Sequence, residues 1–126
     1  MVESSRRTKQ REALREILAR SDRPLSVDEL FEAASQRVGG LGVATVYRAV
    51  AALQESGWIQ PVEIPGEPTR YERSGKEHHH HFQCERCDRV FDVAGCRDNF
   101  RKLVPPKFRI REHAVTLYGL CSACAR

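Results

Sequence analysis

Apolar residues recur along this chain at two periods, helical in the first part and alternating beyond Gly57. From Thr8 to Arg20, Leu14, Ile17 and Leu18 fall at helical spacing behind a basic arm of Arg6, Arg7, Lys9 and Arg11. Asp22-Arg23-Pro24 breaks that helix. Ser26-Val27-Asp28-Glu29 reads as a capping box, opening a second helix whose apolar stripe is Val27, Leu30, Phe31, Ala34 and Val38. Gly39-Gly40-Leu41-Gly42 is a tight break. A third helix is predicted from about Ala44 to Glu55, with Val46, Val50 and Leu53 facing inward and Gly57 ending it.

Strand signals follow at Trp58 to Ile64 and Thr69 to Arg73, joined by a turn at Pro65-Gly66-Glu67-Pro68. Helix, short glycine turn, helix and hairpin is the order of a winged helix-turn-helix. Ser74–Glu77 reads as a hinge. Beyond it, strands are predicted at His78–Gln83, Val90–Val93 and Phe108–Tyr118, with a short helix near Arg97–Leu103 stopped by Pro105-Pro106. The expected class is α+β, with a DNA-reading domain at 1–73, a hinge at 74–77 and a second α/β domain at 78–126.

The chain has 126 residues, 40% hydrophobic and 30% charged, which fits a folded globular protein. Two domains of about 60 residues each bury too little surface to be robust alone, so a metal or a second subunit is expected to support them. The longest stretch with few charges, Ala33 to Gln54, carries Arg37 and Arg48 and is too polar to span a membrane. Met1 is followed by Glu3, Ser4, Ser5, Arg6 and Arg7 without an apolar run, so no signal peptide is read and a cytoplasmic location is expected.

The net charge of +4 says little by itself, because residues 1–75 hold 11 basic and 11 acidic side chains. Its distribution says more. The basic arm faces one acid, Glu3, and no acid lies between Glu32 and Glu55, which leaves acid-free surface for nucleic acid. On the third helix, the face opposite Val46 and Val50 offers Thr45, Tyr47 and Arg48. Arg48 suits guanine, Thr45 and Tyr47 suit phosphate or a thymine methyl, and the arm suits phosphates or a minor groove.

All five cysteines lie in the second half. Cys84-Glu85-Arg86-Cys87 and Cys121-Ser122-Ala123-Cys124 are paired CxxC knuckles, and two knuckles give Zn2+ a closed four-thiolate shell of structural type. His78-His79-His80-His81 runs almost directly into the first knuckle. On a strand, His78 and His80 face one way, His79 and His81 the other, so one segment can donate two ligands to each of two sites. His113 can complete one of them, and Glu72, Glu77, Asp92, Cys96 and Asp98 are the remaining candidates.

Together these residues resemble the ferric uptake regulator family over nearly the whole chain. The match rests on Gly42-Val43-Ala44-Thr45-Val46-Tyr47-Arg48-Ala49-Val50, on the run from His78 through Cys87, and on His113 to Cys121. The resemblance implies a homodimeric repressor, not an enzyme, that reads a palindromic operator in double-stranded DNA under control of a metal corepressor. It implies structural zinc at Cys84, Cys87, Cys121 and Cys124. It implies a regulatory site at Glu72, His79, His81 and Asp92, to which Cys96 is added here as a soft ligand. A further site is implied at His78, His80 and His113, with Asp98 or Asn99 near its usual acid. Iron sensors of the family usually supply a histidine near the second helix; this chain has Pro24 there and no histidine before His78. Zinc is therefore expected as corepressor; the alternative is an iron- or peroxide-responsive repressor using Fe2+, since Asp92 is the residue type found at that position in the family's peroxide sensors. A small zinc hydrolase, or a metal-storage protein, is the reading from another class; the first needs a pocket for an organic substrate, and neither requires a DNA-reading helix.

Overall fold

The computed structural model describes residues 2–96 and 99–126. The chain divides into two compact units, the first ending at Lys76 and the second beginning at Glu77. Among the described residues, no helix is long and apolar enough to cross a membrane.

The first unit opens with α1 (Val2–Arg20). The helix starts earlier than the Thr8 read from the sequence, so Arg6 and Arg7 of the basic arm join Lys9 and Arg11 on it. No proline or glycine precedes Arg20, so no residue interrupts the helix between Val2 and Arg20. Its inner face carries Ala13, Leu14 and Leu18, all buried. After Arg20 the chain turns on Ser21, whose hydroxyl donates to the Arg23 carbonyl at 2.6 Å, and Pro24 prevents continuation. Two residues, β1 (Leu25–Ser26), then pair antiparallel with β3.

Ser26 also caps α2 (Val27–Ser35). The Glu29 amide donates to its hydroxyl at 3.1 Å, and the Ser26 amide donates to the Glu29 carboxylate at 3.0 Å. Arg23 pairs with the same carboxylate at 2.6 Å, and the buried Arg70 lies 3.9 Å away. Burial alone would raise the Glu29 carboxyl, but the Ser26 amide and Arg23 outweigh it and hold it below its ordinary value. Its contribution is thus present above the unfolded carboxyl's pKa, about 4.3, and is lost as pH falls through the lower folded value. Glu29→Gln should cost about 1 kcal/mol at neutral pH and much less once acid has protonated the carboxyl in the folded protein. Urea denaturation at neutral and acid pH measures this; equal losses would remove the charge from the explanation.

The third helix, α3 (Val43–Glu55), buries Val46 and Val50. It ends where Gly57 takes φ +80 and the Trp58 amide donates back to the Leu53 carbonyl at 3.0 Å. The hairpin β2 (Ile59–Val62) and β3 (Arg70–Arg73) completes a sheet of order β1-β3-β2. Pro61 is tolerated because β2 is an edge strand. Leu14, Leu18, Leu30, Val46, Val50 and Ile59 form the core, and Trp58 is flanked by the guanidinium groups of Arg15 and Arg73, 4.8 and 4.0 Å from its ring.

The second unit is a three-stranded sheet, β4 (His80–Cys84), β5 (Val90–Val93) and β6 (Thr116–Gly119), in the order β5-β4-β6. β5 runs antiparallel to β4 and β6 parallel to it. The strand expected over Phe108–Tyr118 shrinks to β6, whose register with β4 starts at Thr116, and Phe108 and Ile110 are exposed. His78 and His79 precede β4. The helix expected near Arg97–Leu103 is a single 3-10 turn, Arg101–Leu103, preceded by Phe100 at φ +57, a conformation that does not continue a helix. Arg97 and Asp98 lie outside the described residues. The molecule is thus α+β, helices and a small sheet first, a second sheet after.

Candidate metal centres and nucleic-acid face

In the first unit, α1 and α3 present one basic face. An open groove is lined by Arg7, Gln10, Arg11, Thr45 and Arg48. Arg7 and Arg11 stand four residues apart on one helix, so they share a face. Arg48 donates to the Thr45 hydroxyl at 3.3 Å. Tyr47 is 58% exposed, and exposed Val43 lies four residues before it on the same helix. Val43 was not singled out from the sequence, where an apolar residue at a helix start reads as core. Arg6 and Lys9 are exposed on α1.

In the second unit, strand order decides which ligands meet. β4 begins where antiparallel β5 ends and parallel β6 begins, with His80 opposite Val93 and His81 opposite Thr116. Residues entering β4, leaving β5 and entering β6 therefore gather at one end of the sheet. The other end carries Cys84, opposite Gly119, two residues before Cys121.

That second end holds the four knuckle cysteines, whose sulfurs lie within 4.8 Å of one another. Cys87 Sγ and Cys121 Sγ are 3.9 Å apart. A tetrahedron of thiolates about 2.3 Å from zinc has edges of about 3.8 Å, so the donor set and its spacing fit that ion. Buried Cys84 accepts from the amides of Cys87 at 3.5 Å and Cys121 at 3.4 Å. These hydrogen bonds bring its thiol down to about 6, while the neighbouring Cys121 sulfur and burial push Cys124 up to about 12. Arg86 ties the knuckles together by donating to the Cys124 carbonyl at 2.8 Å.

At the first end, two groups separate on opposite faces of β4. One contains His79, His81 and Asp92, with ligand atoms within 4.8 Å of one another. Asp92 Oδ1 lies 3.7 Å from His79 Nε2 and 3.8 Å from His81 Nε2, and His81 and Asp92 are cross-strand partners. His79 Nδ1 sits 2.7 Å from the Glu77 carbonyl. A carbonyl only accepts, so Nδ1 is the donor there, which leaves Nε2, on the side of the acid, as the nitrogen placed to bond a metal. Glu72 belongs to the first unit, buried on β3, where Gln60 donates to it at 2.8 Å and Lys76 lies 3.5 Å away.

The other group contains His78, His80, His113 and Cys96. Cys96 was assigned from the sequence to the Glu72, His79, His81 and Asp92 set, and the structure puts it here instead. Cys96 lies four positions beyond Asp92, but Gly95 at φ +75 turns the chain off β5 and Cys96 Sγ comes 3.1 Å from His113 Nε2. Burial lowers the pKa of His80, and the surrounding histidines lower it further. Asp98, expected nearby, lies outside the described residues.

Comparison with known proteins agrees over most of the length. The model of the ferric uptake regulator family matches residues 3–118. A ferric uptake regulation protein of Campylobacter upsaliensis is 30% identical over 122 residues, covering 93% of this chain and 78% of that protein. Among solved structures, the Helicobacter pylori ferric uptake regulator, described with three functional metal binding sites, is 26% identical, with a TM-score of 0.68 over 94% of this chain and 81% of that one. A zinc-bound manganese uptake regulator is 25% identical, with a TM-score of 0.78 over 89% of this chain and 87% of its own.

Proposed function

The chain belongs to the ferric uptake regulator family of metal-responsive regulators, and on that premise we propose that it is a homodimeric transcriptional repressor of metal-homeostasis genes with zinc as corepressor. The observation that carries this reading is that His79, His81 and Asp92 form a donor set separate from the four knuckle thiolates. A closed thiolate shell supports folding, and a second set of imidazoles and a carboxylate can exchange its ion with the medium. Fe2+ suits the same nitrogen and oxygen donors and is the alternative corepressor.

In this reading Cys84, Cys87, Cys121 and Cys124 hold structural zinc. His79, His81 and Asp92 hold the sensed ion, and Glu72 is recruited to it from the first unit. Metal that binds this closed arrangement better than the open one shifts the population towards it, and the DNA-competent dimer becomes the dominant form. The bound ion supplies charge and fixed geometry; the protein supplies the reading face. Arg48, Thr45 and Tyr47 meet base edges, and Arg6, Arg7, Lys9 and Arg11 meet phosphates. Two recognition helices of a dimer then read half-sites one turn apart, about 34 Å. A hydrolase has little support, since the basic face has no part in such chemistry.

The test uses duplexes selected from a random library by the zinc-loaded protein. Palindromes with half-sites about ten base pairs apart should be enriched. In gel shifts, Zn(II) should raise affinity by a factor of about 5–150 over protein whose exchangeable sites are empty. Equal affinity with and without Zn(II) and Fe(II) would refute the switch, and a response to Fe(II) alone would refute zinc.

A further inference from the structure

We propose that Cys96 is a thiolate ligand, making the His78, His80 and His113 group a centre of three imidazoles and one sulfur that takes a thiophilic tetrahedral cation such as Zn(II) or Co(II). This deepens the reading above and rests on its use of these imidazoles as ligands.

Three segments that are far apart in sequence bring their donors to one end of the sheet. His80 opens β4, Cys96 follows β5 by three residues, and His113 precedes β6 by three. His78 Nε2 and Cys96 Sγ lie 3.0 and 3.1 Å from His113 Nε2. All four ligand atoms fall within 4.8 Å of one another. Donors around zinc at tetrahedral distances would stand about 3.3–3.6 Å apart, so the two close pairs need spread by only a few tenths of an ångström to admit an ion. The rings already pack around the spot, with His78 centroids 4.6 Å from His80 and 4.7 Å from His113.

His80 completes the group: it is only 7% exposed, its Nδ1 accepts from the Val115 amide at 3.1 Å, and its Nε2 is buried without a hydrogen-bond partner among the described residues. With Nδ1 accepting, the neutral ring carries its proton on Nε2, so His80 ligates an ion only by turning its Nδ1 lone pair from the amide to the metal or by giving up the Nε2 proton. When an ion binds, the Cys96 thiol loses its proton to solvent and the sulfur bonds the metal. Sulfur separates this centre from the nitrogen and oxygen set on the other face of β4. It favours zinc over manganese or ferrous iron, which accept harder donors.

The experiment is cobalt substitution in the full chain, with zinc retained in the knuckle site and checked by metal analysis before and after. On addition of Co(II), the protein should develop visible d–d bands and a near-ultraviolet sulfur-to-cobalt charge-transfer band. Cys96→Ser should lose the charge-transfer band and keep the d–d bands; His113→Ala should lose the same charge-transfer band. Zn(II) should bleach it and Mn(II) should not. A charge-transfer band that survives in Cys96→Ser overturns the proposal, as does wild-type protein showing d–d bands alone. Neither outcome touches the metal-dependent DNA binding of the preceding section, which is read by gel shift.

Discussion

Cys84→Ser should unfold the second unit while the first stays folded. The sheet has almost no core of its own: among the described residues classed as buried and hydrophobic, only Cys84 and Val90 belong to it. Leu117, Tyr118 and Leu120 are instead exposed on or beside β6. What closes this sheet on itself is the junction of β4 with the C-terminal knuckle, and Cys84 is its centre, fully buried and accepting two amide hydrogens. Serine keeps the volume roughly but supplies a poor ligand, and binding free energy at a structural zinc is folding free energy. Hydrogen exchange read by mass spectrometry should show protection lost throughout β4, β5 and β6 and retained in α1, α2 and α3. Persisting protection in β4 would mean that zinc is not what holds the unit. Acid should act in the same direction. With Cys124 held up to about 12 in the metal-free group, zinc must expel protons to bind, so its affinity falls as pH falls.

What the sequence revealed and what it hid follow from the range of the interactions involved. Ser26 and Glu29 could be read as a cap because both hydrogen bonds close within four residues. Gly57 and the two CxxC knuckles are equally local. β1 was missed because two residues squeezed between Pro24 and a cap carry no period; only its partner β3 makes it a strand. The same dependence shortens the last strand, since the Phe108–Tyr118 pattern alternates but only Thr116–Gly119 finds β4. Cys96 shows the limit most clearly. As a soft donor it reads from the sequence with the Asp92 set, whereas a single turn at Gly95 and the parallel entry of β6 bring it to His113. The separation of odd from even histidines was readable from alternation alone; which donors complete each face depends on strand order, and strand order is not a local property.

The second large effect expected is that sensing and reading separate genetically. His81→Ala removes one of the nitrogens facing Asp92 at 3.8 Å, yet its position on β4 opposite Asp92 and Thr116 lies in the second unit, outside the core of the first. The variant should therefore keep its knuckle zinc and its metal-free DNA affinity, and lose the whole increase on adding Zn(II), a factor of about 5–150. Glu72→Gln should do the same if its carboxylate is recruited by the ion. Arg48→Ala should give the complementary pattern. Arg48 is exposed on α3, where it donates to the Thr45 hydroxyl, so its loss leaves the fold intact and removes a base contact of about 1–3 kcal/mol. Affinity should fall about 5–150-fold with and without metal alike, and the ratio between the two states should stay constant. Fluorescence anisotropy on one duplex at fixed salt measures all four combinations, because phosphate contacts make affinities at different salt incomparable. If His81→Ala lowered the metal-free affinity as much as the metal-bound one, the histidine would be supporting structure and not sensing. If it kept the full response, the switch would have to reside on the opposite face of β4, where Cys96 meets His113.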